Sequence, residues 1–270
     1  MEKARFVIVA TEKDIPSRNI GKNLVEKGGF EKYKDQPYLT YKKGDDLLVW
    51  HKEDLIYAAD LDQHYDAECF VFVFRHLSKE NKATLSVHTT GNLTSDVKRA
   101  GQAYELGIAH PGYMLTILKN LAKYCPEGFS ASYEATHHSP TNLSKAVMFV
   151  EIGSSEEQWN NPEAIEAVTK AVLDFLDNQI TEYTACIGLG GSHYAERFTR
   201  RALEENMAFG HIIPAYAFSG TTKDTIKQAI QKTMGAKLAV LDQRAQGKAE
   251  ERQPLLDACE EMGIEIRKLK

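Results

Sequence analysis

From Thr184 onward the sequence alternates short apolar runs with amphipathic stretches: TACIGLGG, YAERFTRRALEEN, FGHIIPAY, TTKDTIKQAIQKTM, AKLAVLD, GKAEERQPLLDACEEM and GIEIRKL. Strands separated by helices of this length form βαβ units, because a parallel neighbour needs a long crossover. The pattern extends toward the N-terminus. RFVIVA (5–10), ECFVFVFRH (68–76) and AVMFVEI (146–152) read as buried strands, and ATLSVHTTGN (83–92) as an alternating one. PGYMLTILKNLAKY (111–124) and NPEAIEAVTKAVLDFLDNQI (161–180) carry helical spacing, with Pro111 suited to a first turn. Residues 12–46 are polar and read as turns and loop, while DLLVWH and DLIYAA read as two short strands. The fold class expected is α/β: a mostly parallel mixed sheet flanked by helices, in one domain spanning 1–270 with a polar N-terminal elaboration at about 11–46.

A hydrophobic content of 43% with 26% charged residues supports a full core. The formal net charge of −5 excludes a nucleic-acid binder held by bulk charge, though a local basic patch remains compatible. Cys69, Cys125, Cys186 and Cys259 are far apart without any Cys-x-x-Cys, which speaks against a disulfide framework or thiolate zinc site. The apolar run near the N-terminus is too short for a signal peptide or a membrane span. The expectation is a cytoplasmic protein without a membrane partner.

Polar residues collect where apolar runs end. His76, His88, Glu151 and His193 each close or follow such a run, and His138 closes the alternating segment 129–138. In an open parallel sheet these ends share one edge, where ligands bind. Within the stretch EATHHSPT, strand alternation puts Glu134, Thr136 and His138 on one face and His137 on the other, so one of the paired histidines faces a site and the other supports it. Pro140 stops the strand and fixes the turn that carries Thr141.

The stretch GLGGSHY places Gly190, Gly191, Ser192 and His193 between a strand and a helix, fitting a loop whose amides meet an oxyanion or phosphate oxygen. It lacks the third glycine of a dinucleotide fingerprint and the Gly-Lys-Ser/Thr of a P-loop. Arg197, Arg200 and Arg201, at i, i+3 and i+4, share a helix face and could form a basic rim with Lys98, Arg99, Lys223 and Lys227. Each feature has a structural alternative: satisfied core histidines, a tight strand-to-helix turn, or a solvated helix face balanced by Glu204 and Glu205. No Gly-x-Ser-x-Gly elbow is present, nor a zinc-deaminase signature.

The ordered motifs RH (75–76), HTTGN (88–92), THHSPT, FVEIGSSEEQW, GLGGSHYAERF and GHIIPAY resemble the archaeal-type D-aminoacyl-tRNA deacylase family over roughly residues 70–220. The sequence departs from the family pattern at Ser139, where glycine is more usual, at Ser192, where threonine is, and at Phe74, where serine is; Phe74 removes a polar group beside Arg75 and weakens a catalytic role for position 74. The resemblance implies a single deacylase domain with a core similar to the peptidyl-tRNA hydrolase and nucleoside phosphorylase type. It implies hydrolysis of the ester joining a D-amino acid to the tRNA 3′ acceptor end, hence D-amino acid detoxification, and dependence on Zn²⁺. Its implied first residues are His138, Glu134 and His193, also the candidate metal ligands, followed by His76, His88 and Glu151, with His137 and His211 behind them. Thr141, Gly190, Gly191 and Ser192 would bind substrate, and Arg197, Arg200 and Arg201 would meet phosphates of the tRNA in salt-sensitive contacts. The protein would act as a monomer without a protein partner. Rival readings are a metal-dependent hydrolase of a small ester or amide, and a non-catalytic RNA-binding module.

Overall fold

In a computed structural model, which describes residues 1–97, 100–178, 180–245 and 247–269, the first apolar run forms the strand β1 (Glu2–Thr11), buried from Phe6 onward. The segment after it is not a loop. Asp14 accepts a hydrogen bond from the Ser17 amide (2.7 Å), Pro16 sits in the first turn and Gly29 closes the far end with φ 75°, so α1 (Ile15–Gly28) is capped at both ends. Its buried stripe is short, chiefly Ile20 and Leu24, with Gly21 against the Trp50 ring, and a polar composition conceals it. There follow β2 (Glu31–Lys34), β3 (Leu39–Lys43) and β4 (Asp46–His51). DLIYAA yields a 3₁₀ turn at Leu55–Tyr57, where Asp54 caps the Ile56 amide, rather than a strand. Next come β5 (Tyr65–Arg75), β6 (Thr84–His88), α2 (Pro111–Tyr124), β7 (Ser130–Tyr133), β8 (Ala146–Gly153), α3 (Glu156–Trp159) and α4 (Pro162–Asp177). The α3 capping box uses Ser155 and Gln158.

These strands form an eight-stranded sheet in the order β2-β3-β4-β1-β5-β8-β6-β7. β1 pairs in parallel with β4 and β5, and β5 with β8, while β2–β3 and β3–β4 are antiparallel, so the sheet is mixed. Its core stacks Phe72 on Phe149 (4.6 Å, 5° between planes) with Phe74 edge-on to Phe149, so Phe74 is a packing residue.

The remaining elements are β9 (Thr184–Leu189), α5 (Glu196–Glu205), β10 (Met207–Ile213), α6 (Lys223–Lys232), β11 (Leu238–Asp242), α7 (Ala249–Glu261) and β12 (Glu265–Leu269). They form an all-parallel sheet in the order β10-β9-β11-β12, as the alternating pattern requires. The chain divides into two compact units. Unit 1 comprises Met1–Val87, Thr116–Ala131 and Leu143–Gln179; unit 2 comprises His88–Leu115, Ser132–Asn142 and Ile180–Lys270.

In the unit 2 sheet the chain leaves β9 in one direction to reach β10 and returns past β9 to β11, so the switch point lies between β9 and β11. The chain fills that crevice itself. The Gly191 amide donates to Ala245 O (2.7 Å), and Arg197 pairs with the buried Asp242, which also accepts from the Arg244 amide. Gly190 sits at φ 105°, and a Cβ there would lie 2.5 Å from Ala245 O. Gly190→Ala is therefore expected to lower stability by about 2–3 kcal/mol, seen as a lower urea midpoint at unchanged m-value.

Candidate active site

The sequence suggests that 129–138 is one strand, but β7 ends at Tyr133 and the chain then runs irregularly. Two backbone bonds hold it to the carboxyl ends of the unit 2 strands: Ala135 N–H to His193 O (2.8 Å) and Thr136 N–H to Ile212 O (2.9 Å). His138 turns through φ 44°, in the left-handed region. Strand alternation no longer applies, and both histidines of the pair arrive in one cluster. The His137 ring lies 4.4 Å from His138, 4.1 Å from His88 and 4.8 Å from His193. The division into one site residue and one supporting residue is corrected accordingly.

At the centre of the acidic side is Glu134, buried with 1% exposure. Its Oε2 is 3.0 Å from His193 Nε2 and 3.7 Å from His137 Nε2. With the carboxylate ionised, His193 donates from Nε2, which leaves Nδ1 as the basic nitrogen, 3.3 Å from the Tyr216 hydroxyl. His137, rather than His138, is the second histidine beside Glu134.

His88, His137 and His138 share a second property. In each, Nδ1 meets a backbone carbonyl: Thr89 O at 2.9 Å, Ala135 O at 2.8 Å and Ser139 O at 2.8 Å. An N–H pointed at a carbonyl fixes the neutral tautomer and puts the lone pair on Nε2. Burial, reinforced by the positive charge that His88, His138 and His193 can carry, holds His137 well below the ordinary imidazole range against the pull of Glu134. Potential ligand atoms of His88, His137 and His138 all lie within 4.8 Å of one another. Three neutral imidazoles this close together form a donor set that could hold a metal ion.

His76 and Glu151 belong to unit 1, where they pair with each other, Nδ1 to Oε2 at 3.4 Å, both buried. Trp159 donates to His76 O (3.0 Å). Beside them Arg75 binds Asp14 (2.7 Å) and Asp54 (3.3 Å), and burial raises the Asp14 carboxyl to about 6 despite the Ser17 amide and Arg75.

The expected substrate-binding residues separate. Thr141 is buried and its hydroxyl donates to Glu105, a residue the sequence did not single out. The Gly190 and Gly191 amides donate to Ile213 O and Ala245 O, so of the glycine loop the exposed Ser192 and the half-buried His193 face solvent. Arg197 pairs with Asp242, Arg200 with Glu204 and Arg201 with Glu205, while Lys223 and Lys227 both bind Glu261. Lys98 and Arg99 lie outside the described residues. His211 is structural: its Nε2 donates to Gly107 O (3.0 Å), and its Nδ1 accepts from the Thr136 hydroxyl (3.1 Å). Tyr216 escaped selection although it ends the GHIIPAY motif. The signal was an aromatic residue placed just beyond the proline that stops the strand.

The model of the D-aminoacyl-tRNA deacylase family matches residues 63–267. The chain belongs to this family. D-aminoacyl-tRNA deacylase of Thermococcus kodakarensis is 34% identical over 271 residues, covering 96% of this chain and 98% of the relative. That of Methanocaldococcus jannaschii is 33% identical over 97% of this chain and 98% of the relative. A crystal structure of a conserved protein of unknown function, AF0625, superimposes with a TM-score of 0.92 at 29% identity, covering 99% of this chain and 96% of the other. The chain is thus a hydrolase of the deacylase kind with the α/β fold expected of it.

Family membership does not alter the role of His211. Burial depresses its pKa to about 4, from the ordinary 6.5, the Gly107 carbonyl opposing the shift. Below pH 6.5 the unfolded chain binds the proton first, so this residue's contribution is intact above 6.5 and is lost as pH falls toward 4. Urea denaturation between pH 7 and 4 is expected to show a loss of up to about 3 kcal/mol from this residue. In His211→Gln, less stable at neutral pH, that part of the pH dependence disappears.

Proposed function

We propose that this chain carries out its family's hydrolysis of D-aminoacyl-tRNA with the unit 2 cluster, Glu134 and His193 acting on water and His88, His137 and His138 holding a zinc ion. The observation that carries the reading is the orientation of His193 by a buried carboxylate, with its other nitrogen turned toward the half-exposed edge. Glu134 keeps His193 in one tautomer and stabilises the imidazolium that forms when Nδ1 takes a proton from water. The same nitrogen returns the proton to the departing ribose oxygen. Free amino acid and tRNA leave, and no covalent intermediate on the protein is required.

The metal fits the donor set on two grounds. Each of the three imidazoles is locked with Nε2 as acceptor, and His137 is held neutral by burial. Bound there, zinc would act as a Lewis acid toward water or the ester carbonyl. His138 keeps its assignment as a ligand, whereas His193 and Glu134 fit the acid–base role better. Ser192, at the exposed edge of the glycine loop, would hydrogen-bond the ester, and His76 pairs with Glu151 in unit 1.

The decisive experiment measures free D-tyrosine released from D-tyrosyl-tRNA beside the L-ester. The D-ester is expected to be cleaved preferentially, and His193→Ala to lower kcat by about 10²- to 10⁴-fold. Chelation is expected to abolish turnover of the wild type, with recovery on adding zinc. Folded, zinc-supplied protein that cleaves neither ester would overturn the reading, and full activity after chelation would remove the metal from it.

His138→Ala provides a separate check on the ligand assignment. Zinc bound per chain, measured after dialysis, is expected to fall well below that of the wild type while His193→Ala retains it. Equal retention by both variants would transfer the metal to other residues.

A further inference from the structure

We infer that Tyr216 is a stacking platform for the terminal nucleobase of the RNA substrate, which sets the ester beside His193. The inference rests on the deacylase reading for the identity of the ester, and goes beyond it in naming how the RNA end is held.

Tyr216 is 65% exposed, yet the chain around it is buried: His211, Ile212 and Ile213 before it, and Ala217 and Phe218 after it. Ala217 and Phe218 are the buried residues of the 3₁₀ segment Ala215–Gly220, and Tyr216 is not among them. The backbone that carries it is fixed at several points. Ala215 N–H donates to Gly191 O (3.1 Å), Ala217 N–H to Pro214 O (3.0 Å) and Thr221 N–H to Ala217 O (3.0 Å). The loop after β9 and the segment after β10 therefore hold His193 and Tyr216 in one register, with the phenol oxygen 3.3 Å from Nδ1. An exposed aromatic on a rigid support loses little conformational freedom when it stacks.

The ester of an aminoacyl-tRNA sits on the ribose of the terminal adenosine. A base stacked on Tyr216 places that ester within a ribose's width of the His193 nitrogen that activates water. The described cations that the sequence singles out are already paired. Arg197, Arg200, Arg201, Lys223 and Lys227 are each engaged by a carboxylate. Base–aromatic stacking contributes without counterion release and tolerates any base with a π face.

The test uses a short single-stranded RNA ending in 2-aminopurine riboside, whose fluorescence is quenched on stacking, together with turnover of D-tyrosyl-tRNA. Wild type and Tyr216→Phe are expected to quench the probe and bind it alike. Tyr216→Ala is expected to bind about ten- to a hundredfold more weakly without quenching, and to raise KM by a similar factor while kcat changes little. Because the side chain is mostly exposed, the variant is expected to keep the wild-type melting temperature.

Unchanged affinity in Tyr216→Ala, or a loss in Tyr216→Phe as large as in Tyr216→Ala, would overturn the inference, the latter by moving the role to the hydroxyl. A defect confined to esters of aromatic amino acids, with no quenching, would do the same by assigning the stack to the aminoacyl group. If the wild type quenches the probe through Tyr216 but cleaves no ester, the deacylase reading fails while the stacking inference stands.

Discussion

Two main-chain hydrogen bonds, from Ala135 to His193 O and from Thr136 to Ile212 O, are the constraint on which the site depends. They fasten a segment that has left its strand to the carboxyl ends of β9 and β10. Without them Glu134, His137 and His138 would have no fixed relation to His193. The Thr136 hydroxyl extends the tie, accepting from the Ile212 amide and donating to His211. The left-handed turn at His138 then brings the next residues back against 88–92, where the Gly91 amide meets His138 O (2.8 Å) and Thr90 donates to Pro140 O (2.6 Å). The site is thus a backbone construction before it is a collection of side chains.

That construction sets the electrostatics. A buried carboxylate is tolerable only with a partner, and Glu134 has His193 at hydrogen-bond distance. Several imidazoles packed within 5 Å of one another cannot all carry charge. Giving Nδ1–H of three of them to backbone carbonyls resolves the conflict, since each is then satisfied as a neutral group and keeps one lone pair. His193, at the half-exposed edge, is the one that Glu134 meets directly.

The βαβα series from Thr184 onward was legible because each apolar run carries its own period and each turn its own stop signal. The helix α1 was not, although its caps are written in the sequence as Asp14, Pro16 and Gly29. Its apolar stripe is too sparse to be seen without the sheet it packs on. The division into two units follows no composition boundary, because three of the chain's passages between them fall inside β6, α2 and β7. In the site, His138 and His193 could be chosen from their places at strand ends and Glu134 from sharing a strand face with His138. Their arrangement could not, because it depends on hydrogen bonds between segments distant in sequence. Periodicity predicts which way a side chain points only while the strand lasts, and here the strand stops at Tyr133.

The glycine loop shows how a motif's chemistry can be absorbed by the fold. Spacing suggests free amides at the mouth of a strand, and the switch point between β9 and β11 is where an open α/β sheet usually binds its ligand. In this chain Gly190 and Gly191 give their amides to Ile213 and Ala245, and Asp242 draws Arg197 into the same crevice. What remains accessible lies on the other side of β9, toward β10, where His193 and Tyr216 stand together. The candidate cluster thus lies beside the switch point rather than in it. Arg197, a cation suited to grip a phosphate there, instead braces the loop through Asp242. For a chain of net charge −5 that handles a polyanion, this arrangement favours reading the end of the substrate over gathering its backbone.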